Sequence, residues 1–182
     1  MVRVILDRLY LYAGYAAGGF LLLIFLLMMS LALGREVGLN IRSGDDFASW
    51  CMVAMSFLGL AHTFRSGEMI RVGLLLERFS GRSRWALELL TLGVATIFTL
   101  YFARYAVQLT YDSWRFHDFS QGAVAIPLWI PQLGFSVGLA ILSIALIDEM
   151  VHVGRGHPPR FQKEKPASPE ELVERIANEG SL

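Results

Sequence analysis

Between Arg8 and Arg35 the chain carries no charged residue, and the centre of that stretch reads FLLLIFLLMM. A soluble domain must cover its outer face with polar side chains at helical or strand period. This run has no such face. A helix needs about 20 apolar residues to cross the hydrocarbon core of a bilayer, and only hydrogen-bonded helices or closed barrels satisfy their backbone there. The stretch therefore predicts a membrane-spanning helix over about 9–33. Its charged start imitates a secretory signal, and Ser30-Leu31-Ala32 resembles a cleavage site. A signal's apolar segment is only about 7–15 residues long, so this run reads as a retained helix.

Three more runs follow. The second, about 47–64, lies between Asp45-Asp46 and Arg65 and is rich in small residues: Ala54, Ser56, Gly59 and Ala61. Such residues let helix backbones approach closely inside a membrane. The third, about 85–107, contains LLTLGVATIFTLYFA. Glu88 and Arg104 are expected to mark its two interfacial ends, Arg104 by snorkelling to the headgroups. Tyr101, Tyr105, Tyr111 and Trp114 beyond it suggest an aromatic belt. The fourth, about 123–147, has Pro127 and Pro131 in its first turns, where a missing N–H costs little, and Asp148-Glu149 at its close. The fold class is thus all-α integral membrane, with residues 1–153 as the membrane domain.

Placement of positive charge sets the orientation. Twelve of the 16 Lys and Arg residues fall in the amino end, the second loop and the tail; only Arg35, Arg42, Arg104 and Arg115 fall elsewhere. The positive-inside rule then puts both termini in the cytoplasm of a bacterial inner-membrane protein. A net charge of zero gives no sign of a nucleic-acid partner. The single cysteine, Cys51, excludes a disulfide framework and a multi-cysteine metal site.

The segment Ser66–Gly81 is expected to be more than a loop. Ser66 can cap a helix start and Gly81 can end it. Met69, Val72, Leu76 and Phe79 form one apolar stripe, while Glu68, Arg71, Arg78 and Arg82 fall opposite. That division predicts an amphipathic helix over about 67–80, lying in the interface between spans two and three; a surface linker with the same pattern is the plainer reading. The tail, 154–182, opens as a Pro-rich linker. Ser168-Pro169-Glu170-Glu171 then has the order of a helix cap, but a helix of roughly ten residues is marginal alone in water.

No nucleophile elbow, phosphate loop or metal-ligand spacing appears, and no catalytic, cofactor or metal residue is expected. A charge at mid-membrane costs about 2.5–3.5 kcal/mol on insertion scales, so a pump keeps one only where it works. With no charge expected near the centre of any span, the chain reads as a supporting subunit and not a self-sufficient carrier. One alternative is a haem-binding membrane anchor, because His62 and His152 fall at the same end of their spans and paired histidines can ligate haem.

The segment Gly67-Glu68-Met69-Ile70-Arg71-Val72-Gly73-Leu74-Leu75 resembles the G-x-H-I-R-V-D-L-L stretch of the small membrane subunit of tripartite ATP-independent periplasmic (TRAP) transporters. Ile126-Pro127-Leu128-Trp129-Ile130-Pro131-Gln132, with Gly138 beyond, is similar to the start of that family's last helix, and Phe57-Leu58-Gly59 ahead of Arg65 also fits. Met69 and Gly73 depart from the usual histidine and aspartate. The resemblance implies a scaffold partner for a large membrane transport subunit that carries the substrate and sodium sites, with a periplasmic solute-binding protein delivering an organic acid. It also implies roles for single residues. Ile70, Arg71 and Val72, with Leu75 and Arg78 of the same segment, would brace the scaffold at the bilayer surface. Pro127, Trp129 and Pro131 would shape the outer end of the last span.

Overall fold

A computed structural model describes residues 2–38, 43–66, 82–122 and 124–156. Four helices account for most of them: α1 (Val2–Glu36), α2 (Gly44–Ser66), α3 (Arg82–Arg115) and α4 (Trp129–Gly154). All four are long and apolar enough to cross a membrane. Among the described residues there is no strand, only an isolated bridge between Phe119 and Pro127. The expected interfacial helix over 67–80, with Ile70, Arg71, Val72, Leu75 and Arg78, lies outside the described residues, as does the tail from residue 157.

The sequence sets the helix ends through glycine and charge. Gly38 follows α1 at φ 81° and donates to the Arg35 carbonyl, a left-handed position that glycine takes without a Cβ clash. Gly156 does the same beyond α4, at φ 82° with its N–H on the Val153 carbonyl. Asp45 and Asp46 occupy the first turn of α2, where exposed N–H groups favour negative charge.

Within the spans, hydroxyl side chains bond back to their own helix. Ser30 donates to the Leu26 carbonyl, Ser56 to Met52, Thr96 to Leu92 and Ser143 to Leu139. That local bond satisfies a hydroxyl that lipid cannot.

The helices stand in the order α1, α2, α4, α3, each packed on the next, and α1 touches α4 only slightly. The layer is open. Glycines allow its closest approaches. A Cβ on Gly138 would lie 2.5 Å from the Phe57 backbone carbon, and one on Gly134 would lie 2.5 Å from the Ala54 Cβ, so α2 and α4 meet nearly backbone to backbone. Gly14 of α1 gives way in the same manner to the His62 ring of α2, at 2.8 Å. The main core gathers Tyr10, Ala13, Ala17, Leu58, Ala61, Phe64, Leu92 and the inward residues of α4. The motif residues Phe57, Gly59 and Gly138 are thus seam residues between helices.

Two expectations about the spans need correction. The fourth helix starts at Trp129, not near Ala123, so Pro127 lies before it. Residues 118–122 and 124–128 instead run antiparallel as the arms of a hairpin: Ser120 N–H donates to Ile126 O at 2.8 Å and Leu128 N–H to Asp118 O at 2.9 Å. Pro127 pairs with Phe119 at a position where only the neighbouring residues bond across the hairpin, so its missing N–H costs nothing there, and its carbonyl accepts from Ile130 N–H at 3.2 Å. The third helix, in turn, continues past Val107 to Arg115, and Arg104 is not at its end.

Candidate functional site

Two ends and one flank of the layer hold the polar and aromatic groups that can do work. At the end where both described termini lie, Arg65 of α2 donates to Asp7 of α1 at 2.8 Å through Nη2, while its Nη1 lies 4.0 Å from Glu149 Oε2 of α4. Glu149 is only 3% exposed and Glu88 of α3 is 6% exposed. Trp85 Nε1 donates to the Val153 carbonyl at 3.0 Å, fastening α3 to α4 at the same level. Glu88 therefore points into the helix layer and not toward headgroups. Glu149 lies five residues from the end of α4, about 7–8 Å at 1.5 Å per residue. It is more than a terminator of the span. Four helices are tied here by charge and hydrogen bonds, and the sequence reading did not link these residues. Its available signal was the coincidence of Asp7, Arg65 and Glu149 at one bilayer depth.

His62 and His152 lie toward the same end, on α2 and α4. His62 lays its ring into the notch over Gly14, in the seam between α1 and α2. His152 is on α4 and has an interaction of its own. A ring packed into a helix seam is not presented to a gap between spans.

At the opposite end, Trp129 and Pro131 are half-buried in the first turn of α4, and Pro127 is half-buried in the hairpin. Pro131 gives up no helix bond there, because first-turn N–H groups have no partner within the helix. Trp129 lines an apolar groove of about 360 Å³ between α3 and α4, with Tyr111, Trp114, Leu133 and Val137. In its wall, the Thr110 and Ser136 hydroxyls are hydrogen-bonded to each other at 2.6 Å and both lie 2.9 Å from the Ala106 carbonyl, which accepts from them. Gln132 Oε1, in the same turn, is buried without a hydrogen-bond partner among the described residues. The structure thus places Pro127, Trp129 and Pro131 at one end, with Trp129 lining the same groove as Tyr111 and Trp114.

On the flank, α3 holds Arg104 at an unexpected depth. Ser136 donates to Ala106 O at 2.9 Å, and Ala103 and Ala106 cluster with Leu139. Arg104 is therefore level with residues 136–139 of α4, about 10–15 Å from the Trp129 end of that helix and more than about 20 Å from the other. That lies well inside the ends of the layer, deeper than the interfacial position expected for it. A cation facing lipid at such depth is costly, about 2.5–3.5 kcal/mol at a span's centre on insertion scales. The apolar run of α3 breaks at Arg104 in sequence, but its packed neighbours continue well beyond it. Hydropathy alone put it at an interface.

Comparison with known proteins gives one finding. The model of the family described as tripartite ATP-independent periplasmic transporters, DctQ component, matches residues 11–156, which takes in all of α2, α3 and α4 and most of α1. No curated protein matches the chain.

Proposed function

The chain belongs to the DctQ family, the small membrane component of tripartite ATP-independent periplasmic transporters, and from that premise we propose that it is the scaffold subunit of a sodium-coupled importer of an organic acid. It sits in a bacterial inner membrane with both termini in the cytoplasm, beside a large membrane subunit that binds solute and sodium. A periplasmic solute-binding protein delivers the substrate. The amphipathic segment 67–80, which includes Ile70 and Leu75, lies along the cytoplasmic interface, with Met69, Val72, Leu76 and Phe79 toward the apolar side and Arg71 and Arg78 toward headgroups. Pro127, Trp129 and Pro131 shape the periplasmic end near the docked binding protein.

The observation that carries this reading is the open order α1, α2, α4, α3 in a chain of this family. A self-sufficient carrier encloses its path between helices. A layer whose described helices stand side by side, with α1 and α3 at its flanks, instead enlarges the wall of a neighbour. The charges support it as well: the buried carboxylates Glu88 and Glu149 gather near one end of the layer, where Arg65 answers Glu149.

Co-purification tests it. Tagged chain extracted in mild detergent after co-expression with its cognate large subunit and binding protein is expected to recover the large subunit. Recovery of a lone monodisperse monomer would overturn the reading.

A further inference from the structure

The exposed surfaces of α1 and α3 differ in kind. On α1 the outward residues Leu22, Phe25, Leu26 and Met29 are wholly apolar and suit acyl chains. On α3 the outward residues Tyr101, Arg104, Tyr105 and Gln108 recur at i, i+3, i+4 and i+7, one face of a helix. All four are exposed. Among the described residues, Arg104 and Gln108 make no ion pair or side-chain hydrogen bond, and the Tyr101 and Tyr105 rings touch each other at 4.7 Å. The span's serines and threonines satisfy themselves on the backbone one turn back, but a guanidinium, a carboxamide and two phenols are too long for that bond.

Resting on the reading above, we propose that this face of α3 is the seam with the large membrane subunit, and that Arg104 pairs there with a carboxylate on one of that subunit's helices at the same depth. Charge and depth select the occupant. A lipid phosphate lies at the headgroup level, whereas Arg104 is level with residues 136–139 of α4, well inside the ends of the layer. A second copy of this chain offers no match, because none of its described carboxylates is exposed at that depth. Asp112, two turns further along α3, is half-buried, and Glu88 and Glu149 are buried at the termini end. Tyr101, Tyr105 and Gln108 flank the cation with donors and acceptors. A helix from a polytopic partner can meet them, and lipid cannot.

The test uses the full chain co-expressed with its cognate large subunit. A benzophenone amino acid replaces Tyr105 in one variant and Phe25 of α1 in another, and both are irradiated in membranes. Tyr105→benzoylphenylalanine is expected to crosslink the large subunit, and the Phe25 position is not. Separately, Arg104→Leu is expected to lower recovery of the large subunit by about ten-fold or more, as loss of one member of a desolvated charge pair does, while Arg104→Lys stays within about two-fold of wild type. The crosslink is read with Arg104 intact, so it does not depend on how well Arg104→Leu folds. If wild-type complex is recovered but Tyr105 captures no large subunit, the seam is wrong and the subunit reading stands. A crosslink between two copies of this chain, or unchanged recovery with Arg104→Leu, likewise overturns the seam. If wild type recovers no large subunit at all, both readings fall.

Discussion

The termini end and the outward flank of α3 treat charge in opposite ways. At the termini end, Arg65 bridges Asp7 and approaches Glu149, and Trp85 fastens α3 to α4, so polar groups are answered inside the chain. On the flank, Arg104 and Gln108 stand exposed without such answers among the described residues. The first arrangement serves folding of the subunit itself. The second makes physical sense only in company. In a membrane, where apolar surface does not distinguish lipid from partner, the polar groups a chain leaves unanswered mark where it meets another.

Substitutions can break or sharpen that contrast. The largest effect is expected from Arg65→Met, which removes both the bond to Asp7 and the cation beside buried Glu149 and should cost about 3 kcal/mol in detergent-solubilised chain. Thermal unfolding reads this, and the double variant Arg65→Met with Glu149→Leu should recover most of the loss. The Asp7 contact matters less, because Asp7 is half-exposed. Next, Gly138→Ala drives a methyl into the Phe57 backbone and should cost about 1–3 kcal/mol. Gly93→Ala, with nothing within 4 Å of its Cβ, is the matched control and should be neutral or slightly stabilising. Ser136→Ala removes its bond to the Ala106 carbonyl and should lower stability by about 1 kcal/mol. Smallest of all, Arg104→Leu in the isolated chain should move stability by no more than about 0.5 kcal/mol, because Arg104 is exposed and makes no ion pair or side-chain hydrogen bond among the described residues. A loss as large as that of Arg65→Met would erase the contrast.

Much of this was legible from residue types alone. Long uncharged runs have no other stable solvent, so four spans could be read directly. Depth was not legible. A hydropathy run stops at its first charge, so Arg104 read as an interface residue, whereas Ser136 and Leu139 on a neighbouring helix fix its level. The same limit hid Glu149, which closes an apolar run in sequence but sits inside a four-helix contact in space. Pro127 was misread because a proline suits both a helical first turn and a hairpin bridge. The hydrogen bonds of its neighbours decide between the two. Of the candidate residues, Pro127, Trp129 and Pro131 lie at one end, and those of 70–78 belong to the segment outside the described residues.

The side-by-side order of the helices also bears on how the molecule is made. α1 and α2 are consecutive and already packed, so they can pair as soon as both have left the ribosome. α3 joins the layer chiefly through α4, which is synthesised after it. For that interval α3, with Arg104 well inside its ends, has no settled neighbour in its own chain. A nascent chain stopped before Trp129 should therefore hold its third helix beside the insertion machinery, and release should wait for the fourth.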